Sequence, residues 1–187
     1  CPEKVQANLK LSSLNKRTEK SEHFAMIKPC LEGKDMGLMS DAGCPGVADP
    51  GAAIVKLAHE NNIQVVPLVG PSSILLAVMA SGMNGQSFAF HGYLPHDPAA
   101  RAERLRELEQ TAWATGQSQW WIETPYRNPQ LLDTLRATLA PSTWLTVACD
   151  LTLPTQSIIS RPVVDWRGDS ADYKKRPAIF VLHASRR

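Results

Sequence analysis

Apolar and polar positions fall into blocks whose spacing switches between helical and strand periods. In LNKRTEKSEHFAMIKPCLEG, Phe24, Ile27 and Leu31 recur on one helical face, and Gly33 supplies a stop. The short apolar runs MGLMS (Met36–Ser40) and IQVVPL (Ile63–Leu68) predict strands. Between them AAIVKLAHEN predicts a helix, with Asp49 as N-cap and Pro50 in the first turn. VGPSS then leads into the apolar helix ILLAVMAS, closed by Gly82. Strand, helix, strand, helix at this spacing predicts a parallel α/β sheet with ligand turns at the strand C-termini.

A second unit starts near Asn84-Gly85, which divides the chain into domains 1–84 and 85–187. SFAF and QWWIE (Gln119–Glu123) predict strands, and HDPAARAERLRELEQ between them predicts a helix turning Leu105 and Leu108 inward. Asn128-Pro129 caps QLLDTLRATLA, where Leu131, Leu132, Leu135 and Leu139 share a face. WLTVAC predicts a further strand. TQSIISRPVVDW contains Pro162 and predicts an edge strand or hairpin, and RPAIFVLH (Arg176–His183) a central strand.

Composition narrows the class. The 187 residues carry 20 Lys and Arg against 18 Asp and Glu, a formal charge of +2, which excludes a strongly basic tail or an acidic disordered chain. The longest apolar run, Ile74–Ala80, is far short of the ~18 residues of a membrane span. The four cysteines, Cys1, Cys30, Cys44 and Cys149, form no CxxC and no metal-spaced cluster, so no metal site is expected and a reducing cytoplasm fits. The opening CPEKVQANLK is polar and is not a signal peptide, and a first residue that is Cys rather than Met implies further sequence upstream.

Three turns after predicted strands carry candidate chemistry. Ser40–Gly51, SDAGCPGVADPG, packs three glycines and two prolines into twelve residues, which exposes main-chain amides to a ligand. Such a composition also suits an ordinary tight strand–helix connection. In VGPSS, Ser72 and Ser73 open a helix, either as simple caps or as hydroxyls facing a polar ligand group. IETPYRN (Ile122–Asn128) places Glu123, Tyr126 and Arg127 after a strand, where a surface ion pair is the plainer alternative.

SDAGCPGVADPG, VVPLVGPSS, FHGYLP, IETPYRN, CDLT and RPAIFVL occur in one order from about Leu14 to Leu182. In this the chain resembles the tetrapyrrole methylase superfamily, and within it the branch that methylates ribose 2′-hydroxyls of 16S ribosomal RNA. The resemblance implies two α/β domains of the α/β/α type, with S-adenosyl-L-methionine held in the interdomain cleft, often in a homodimer. It carries cofactor contacts onto Gly43, Cys44, Pro45, Gly46 and Val47, onto Ser72 and Ser73, onto Ile122, Glu123 and Thr124, and onto Pro177 and Ala178. Asp41 and Glu123 are the acidic residues of these motifs and the candidates for positioning the acceptor or taking its proton, with His91 as another candidate base.

The resemblance also has gaps. The family's opening strand, with its Pro/Gly-rich loop and E-D-T-R-type segment, has no counterpart in these residues. Asp150-Leu151-Thr152 runs into Leu153-Pro154 where a Lys is usual, Tyr126 stands where a His is usual, and Cys44 where a Thr is usual. These changes spare main-chain cofactor turns and alter positions nearer the acceptor. The implied partners are ribosomal RNA or the ribosomal subunit, and basic residues such as Lys10, Lys16, Arg17, Lys20, Arg101, Arg104, Arg106, Arg127, Lys174, Lys175 and Arg176 could guide phosphates, though most also suit a plain solvated surface. Two alternatives are a methyltransferase acting on a precorrin or uroporphyrinogen, and a degenerate member that binds without catalysis.

Overall fold

The structure, a computed structural model, describes residues 9–168 and 172–184. Cys1 lies outside the described residues. The chain divides into two compact units at Ser72/Ser73, twelve residues before the 84/85 boundary expected from sequence.

In the first unit, α1 (Lys20–Leu31) packs against α2 (Ala52–Glu60). Ile27 is fully buried, whereas Phe24 and Leu31 on the same predicted face stay about half exposed. Gly33, at φ 79°, ends α1 by turning its N–H back to the Cys30 carbonyl (3.0 Å). The start of α2 corrects the sequence expectation: its N-cap is Gly51, and Asp49-Pro50 belong to the preceding turn. Gly51 sits at φ 146°, with a hypothetical Cβ only 3.0 Å from the Gly46 nitrogen and from Leu38 Cδ2, so backbone conformation and packing both select glycine over a side-chain cap.

The two strands predicted in this unit do not form. Residues 36–40 and 63–68 lie in no ladder, and Met39, Val66 and Leu68 are 81%, 63% and 87% exposed. A short apolar run becomes a strand only when a neighbour satisfies its amides and carbonyls and a layer covers its face. Among the described residues of this unit, no segment supplies that ladder.

The second unit begins with α3 (Ser73–Ser81) and continues through β1 (Phe88–Tyr93), α4 (Pro98–Thr115), β2 (Ser118–Glu123), α5 (Asn128–Thr138), β3 (Trp144–Cys149), β4 (Ser157–Pro162), a 3₁₀ turn (Val163–Trp166) and β5 (Ala178–His183). The five strands form one sheet in the order β1-β2-β5-β3-β4. Only β1 and β2 pair in parallel, joined by the crossover helix α4; the other three pairings are antiparallel. The last strand is central and the Pro162-containing segment is an edge, both as the sequence predicts.

Strand alternation divides adjacent residues between two faces. Trp121, Leu145, Val147, Phe180 and Leu182 join Leu105 and Leu108 of α4 and Leu131 and Leu135 of α5 in the larger core. Trp121 and Phe180 stack there, 6.2 Å between centroids and 4° between planes. Trp120, Ala148, Ile179 and Val181 point the other way, onto Ala77 of α3. α4 is capped by Asp97, which accepts from the Ala100 N–H at 2.8 Å, with Pro98 following it. α5 departs from the predicted cap: Arg127 holds the N-cap position, and Asn128 spends its amide on the carbonyls of Tyr173 (3.1 Å) and Arg176 (2.7 Å). Asn128 is therefore a buried tie between α5 and the approach to β5.

Candidate functional site

The first unit brings together two of the three predicted turns. In SDAGCPG, Ser40 closes the turn twice: its carbonyl accepts from Gly43 N–H (3.1 Å) and its hydroxyl from Ala42 N–H (3.0 Å). Gly43 then lies directly against Gly70-Pro71. A Cβ on Gly43 would stand 2.4 Å from the Pro71 carbonyl oxygen, and one on Gly70 would stand 2.4 Å from the Gly43 oxygen. Two main chains can approach this closely only when both positions lack a side chain. The Cys44 thiol adds a weak sulfur hydrogen bond to the Pro71 carbonyl (3.2 Å).

The result is a platform of closely apposed main chain, in which the N–H groups of Ala42, Gly43 and Val47 are spent within the turn on Ser40 and Cys44. Gly43, Gly46 and the non-glycine Ala48 all adopt positive φ, at 92°, 82° and 56°. Cys44 and Pro45 are half-buried, Gly46 and Val47 exposed. Asp41 is exposed on the rim of the same turn. Ser72 is half-buried at the end of the second turn, and Ser73 opens α3 in the second unit.

The second unit brings the remaining predicted residues together through sheet register. β2 and β5 are antiparallel neighbours in which Glu123 pairs with Ala178 and Ile122 with Ile179. Thus the start of IETPYRN lies beside the start of PAIFVL, although about 55 residues separate them. Glu123 is buried, and its carboxylate faces the Arg127 guanidinium at 2.9 Å. The same carboxylate accepts from the Thr124 N–H (2.7 Å) and lies 3.3 Å from its hydroxyl. Arg127 also contacts the ring of His96 from the FHGYLP side. Tyr126, where the family's His is usual, is 68% exposed.

His91 is committed elsewhere. Its Nε2 lies 2.7 Å from Gln119 Oε1, while Arg104 approaches Nδ1 at 3.4 Å. Because Arg104 can only donate, the arrangement requires Nδ1 to accept and Nε2–H to donate to Gln119.

Sequence reasoning missed the most connected polar group of this unit. Asp150, immediately after β3, is a buried residue in the left-handed region at φ 51°. Its N–H donates to the Pro177 carbonyl (2.9 Å), and one carboxylate oxygen accepts from Thr155 Oγ1 and from Arg176 Nε, both at 2.8 Å. Arg176 spends its other nitrogens on the carbonyls of Asp172 (2.9 Å) and Thr155 (2.7 Å). The hydrogen bond from Thr155, followed by that from Arg176, holds the Asp150 carboxyl below the usual carboxylate range. Burial pushes the adjacent Cys149 thiol up to about 11, so it is a neutral core group. The sequence signals were CDLT and the Arg directly before the last strand. Their partnership depended on sheet register.

Among the described residues no group of His, Cys, Asp and Glu suits a metal ion, and no helix is long and apolar enough to cross a membrane.

The chain is similar to known proteins in sequence and in fold. The chain is 28% identical over 180 residues to the ribosomal RNA small subunit methyltransferase I of Vibrio cholerae, covering 95% of this chain and 61% of the relative. A protein of the same description from Escherichia coli O157:H7 is 28% identical over 178 residues, covering 94% and 61%. The chain thus spans about three fifths of the length of these curated relatives. In fold, the methyltransferase CobJ superposes with a TM-score of 0.60 at 18% identity, covering 91% of this chain and 73% of that one. The uroporphyrin-III-C-methyltransferase of Thermus thermophilus gives 0.52 at 18% identity, covering 88% and 70%. The family model described as Tetrapyrrole (Corrin/Porphyrin) Methylases matches residues 3–165, and the chain belongs to that family.

Proposed function

We propose that this protein is an S-adenosyl-L-methionine-dependent methyltransferase that modifies a ribose 2′-hydroxyl in 16S ribosomal RNA. The observation that carries the cofactor reading is the side-chain-free apposition of Gly43 and Gly70, which leaves two adjacent turns presenting main chain to a ligand. The small-subunit acceptor follows the names of the relatives aligned along nearly the whole chain.

The residues fit such a cofactor in chemistry. We assign main-chain contacts to Gly43, Cys44, Pro45, Gly46 and Val47, and a hydroxyl contact each to Ser72 and Ser73. In the second unit we assign Ile122, Glu123 and Thr124 at the end of β2, and Pro177 and Ala178 at the start of β5. The sulfonium of the bound cofactor supplies an already activated methyl group. The protein's task is therefore alignment of the acceptor, with a base to take the hydroxyl proton as the new bond forms. Glu123 is engaged by Arg127 and Thr124, which suits it to holding Thr124 in place. Asp41, exposed on the turn, is the acidic candidate for the acceptor's proton. The reading extends to a homodimer working on the ribosomal subunit in the cytoplasm.

Titration calorimetry with S-adenosylhomocysteine tests the cofactor, and transfer of a labelled methyl group to unmethylated small ribosomal subunits tests the acceptor. Saturable heat and label in 16S RNA are expected. Absence of heat from the folded protein would refute the cofactor assignment. Heat without RNA labelling, but with labelling of a porphyrinogen, would move the acceptor to a tetrapyrrole. Light scattering at a single-chain mass would refute the dimer.

A further inference from the structure

Asp150 is the only residue that joins β3, the loop after it and the start of β5 through both backbone and side chain among the hydrogen bonds described above. Its N–H fixes the Pro177 carbonyl, and its carboxylate fixes Arg176, the residue immediately before Pro177. Arg176 in turn clamps Thr155 and Asp172, and Asn128 holds the Arg176 carbonyl from α5. The backbone from 176 to 178 is thereby gripped on both sides, directly beside Glu123 in the sheet. Maintaining Asp150 in a left-handed conformation is unfavourable for a residue with a Cβ, although Asp tolerates it better than most. Strain of this kind persists where surrounding contacts over-determine it.

We propose that Asp150 is a positioning residue for the cofactor-binding edge of the second unit, acting through Arg176 and the Pro177 carbonyl rather than by touching substrate. This inference rests on the cofactor reading given above. The Thr155 hydroxyl belongs to the same latch and orients the Asp150 carboxylate. The two donors converge on one carboxylate oxygen, and the charge on that carboxylate strengthens its bond to the Arg176 guanidinium.

The experiment is S-adenosylhomocysteine calorimetry on the full chain, comparing the parent with Asp150→Asn and Arg176→Lys. Asp150→Asn preserves shape but removes the charge, while Arg176→Lys preserves charge but loses the planar fork that reaches three acceptors. Each variant should bind roughly tenfold or more weakly, the scale seen when a partner that orients a ligand-holding group is removed. Stoichiometry should be unchanged, because the defect is local geometry in a folded protein. Arg176→Lys serves alone if Asp150→Asn does not fold. Two variants within twofold of a parent that binds would refute the positioning role and leave the cofactor reading intact. Reduced stoichiometry at the parent's affinity would show a role in folding only and would also overturn the proposal. No binding by the parent would refute the cofactor reading and this inference together.

Discussion

Adding one methyl group at Gly43 distinguishes a turn built for close main-chain approach from an ordinary tight connection. In Gly43→Ala the new Cβ would sit 2.4 Å from the Pro71 oxygen and 2.6 Å from its Cγ, both in a rigid ring-bearing segment. The residue would also occupy φ 92°, outside the comfortable range of an L-amino acid. The conformational cost is about 1–2 kcal/mol. Overpacking adds about 1–3 kcal/mol, giving roughly 2–5 kcal/mol in all. Gly33 provides the control: it has φ 79° but nothing within 4 Å of its Cβ position, so Gly33→Ala should carry only the conformational part, about 1–2 kcal/mol.

The assay can isolate the first unit. All five Trp lie beyond residue 72, so Trp fluorescence reports the second unit, while hydrogen exchange of peptides from residues 9–72 reports the first. Gly43→Ala should accelerate exchange around residues 40–47 and 68–72, weaken S-adenosylhomocysteine binding, and leave the urea midpoint by fluorescence in place. Gly33→Ala should leave binding nearly unchanged. Equal effects of the two substitutions on exchange and binding would show that steric contact between the turns contributes nothing, and the platform argument would fail.

Glu123→Gln should destabilise the second unit by about 3 kcal/mol, because it leaves the Arg127 guanidinium facing an uncharged, buried neighbour. Urea unfolding by Trp fluorescence checks this, and a change below about 0.5 kcal/mol would show the pair to be no more than a surface one. Burial pushes His183 below its ordinary value, so the unfolded chain takes up the proton first as pH falls. That group carries no penalty well above 6.5 and a growing one as pH falls beneath it, down to its folded-state value. His183→Gln should therefore flatten the pH dependence of the urea midpoint as pH falls through and below 6.5, and an unaltered slope would refute the assignment. Cys149, buried and pushed up to about 11, should resist iodoacetamide in the native protein while the half-buried Cys44 reacts. Peptide mapping showing equal rates would contradict the burial of Cys149.

Periodicity revealed most of the second unit because its elements bury their faces locally. Leu105 and Leu108, then Leu131, Leu132 and Leu135, gave α4 and α5, and Trp120-Trp121 marked a strand covered on both faces. In the first unit the same logic failed at residues 36–40 and 63–68. Apolar runs there were read as strands, yet strand formation depends on a partner ladder that hydropathy does not encode. Asp49 and Asn128 illustrate a subtler loss. Both precede or accompany a proline, the ordinary signature of a helix start, but Gly51 took the first cap for packing reasons and Asn128 was drawn to the Tyr173 and Arg176 carbonyls.

The site was legible in the same partial way, for a related physical reason. Gly43, Gly70 and Pro71 carry their chemistry in main-chain conformation, which glycine and proline announce directly in sequence. Asp150 and Arg176 carry theirs in a partnership set by the register of β3 on β5, whereas Glu123 finds its partners locally. Glu123 alone could be a base, but against Arg127 and Thr124 it is an anchor. Arg176 alone is one of many basic residues, but held by Asp150, with its remaining donors on Asp172 and Thr155, it fixes a backbone. Its guanidinium is thus committed inside the protein, so neutralising nearby Lys174 and Lys175 should weaken RNA binding and reduce its salt dependence without changing cofactor affinity, whereas Arg176→Lys should act on cofactor affinity. RNA and S-adenosylhomocysteine titrations on these variants would separate surface charge from internal latch. The distinction collapses if loss of the two lysines weakens cofactor binding as much as Arg176→Lys does.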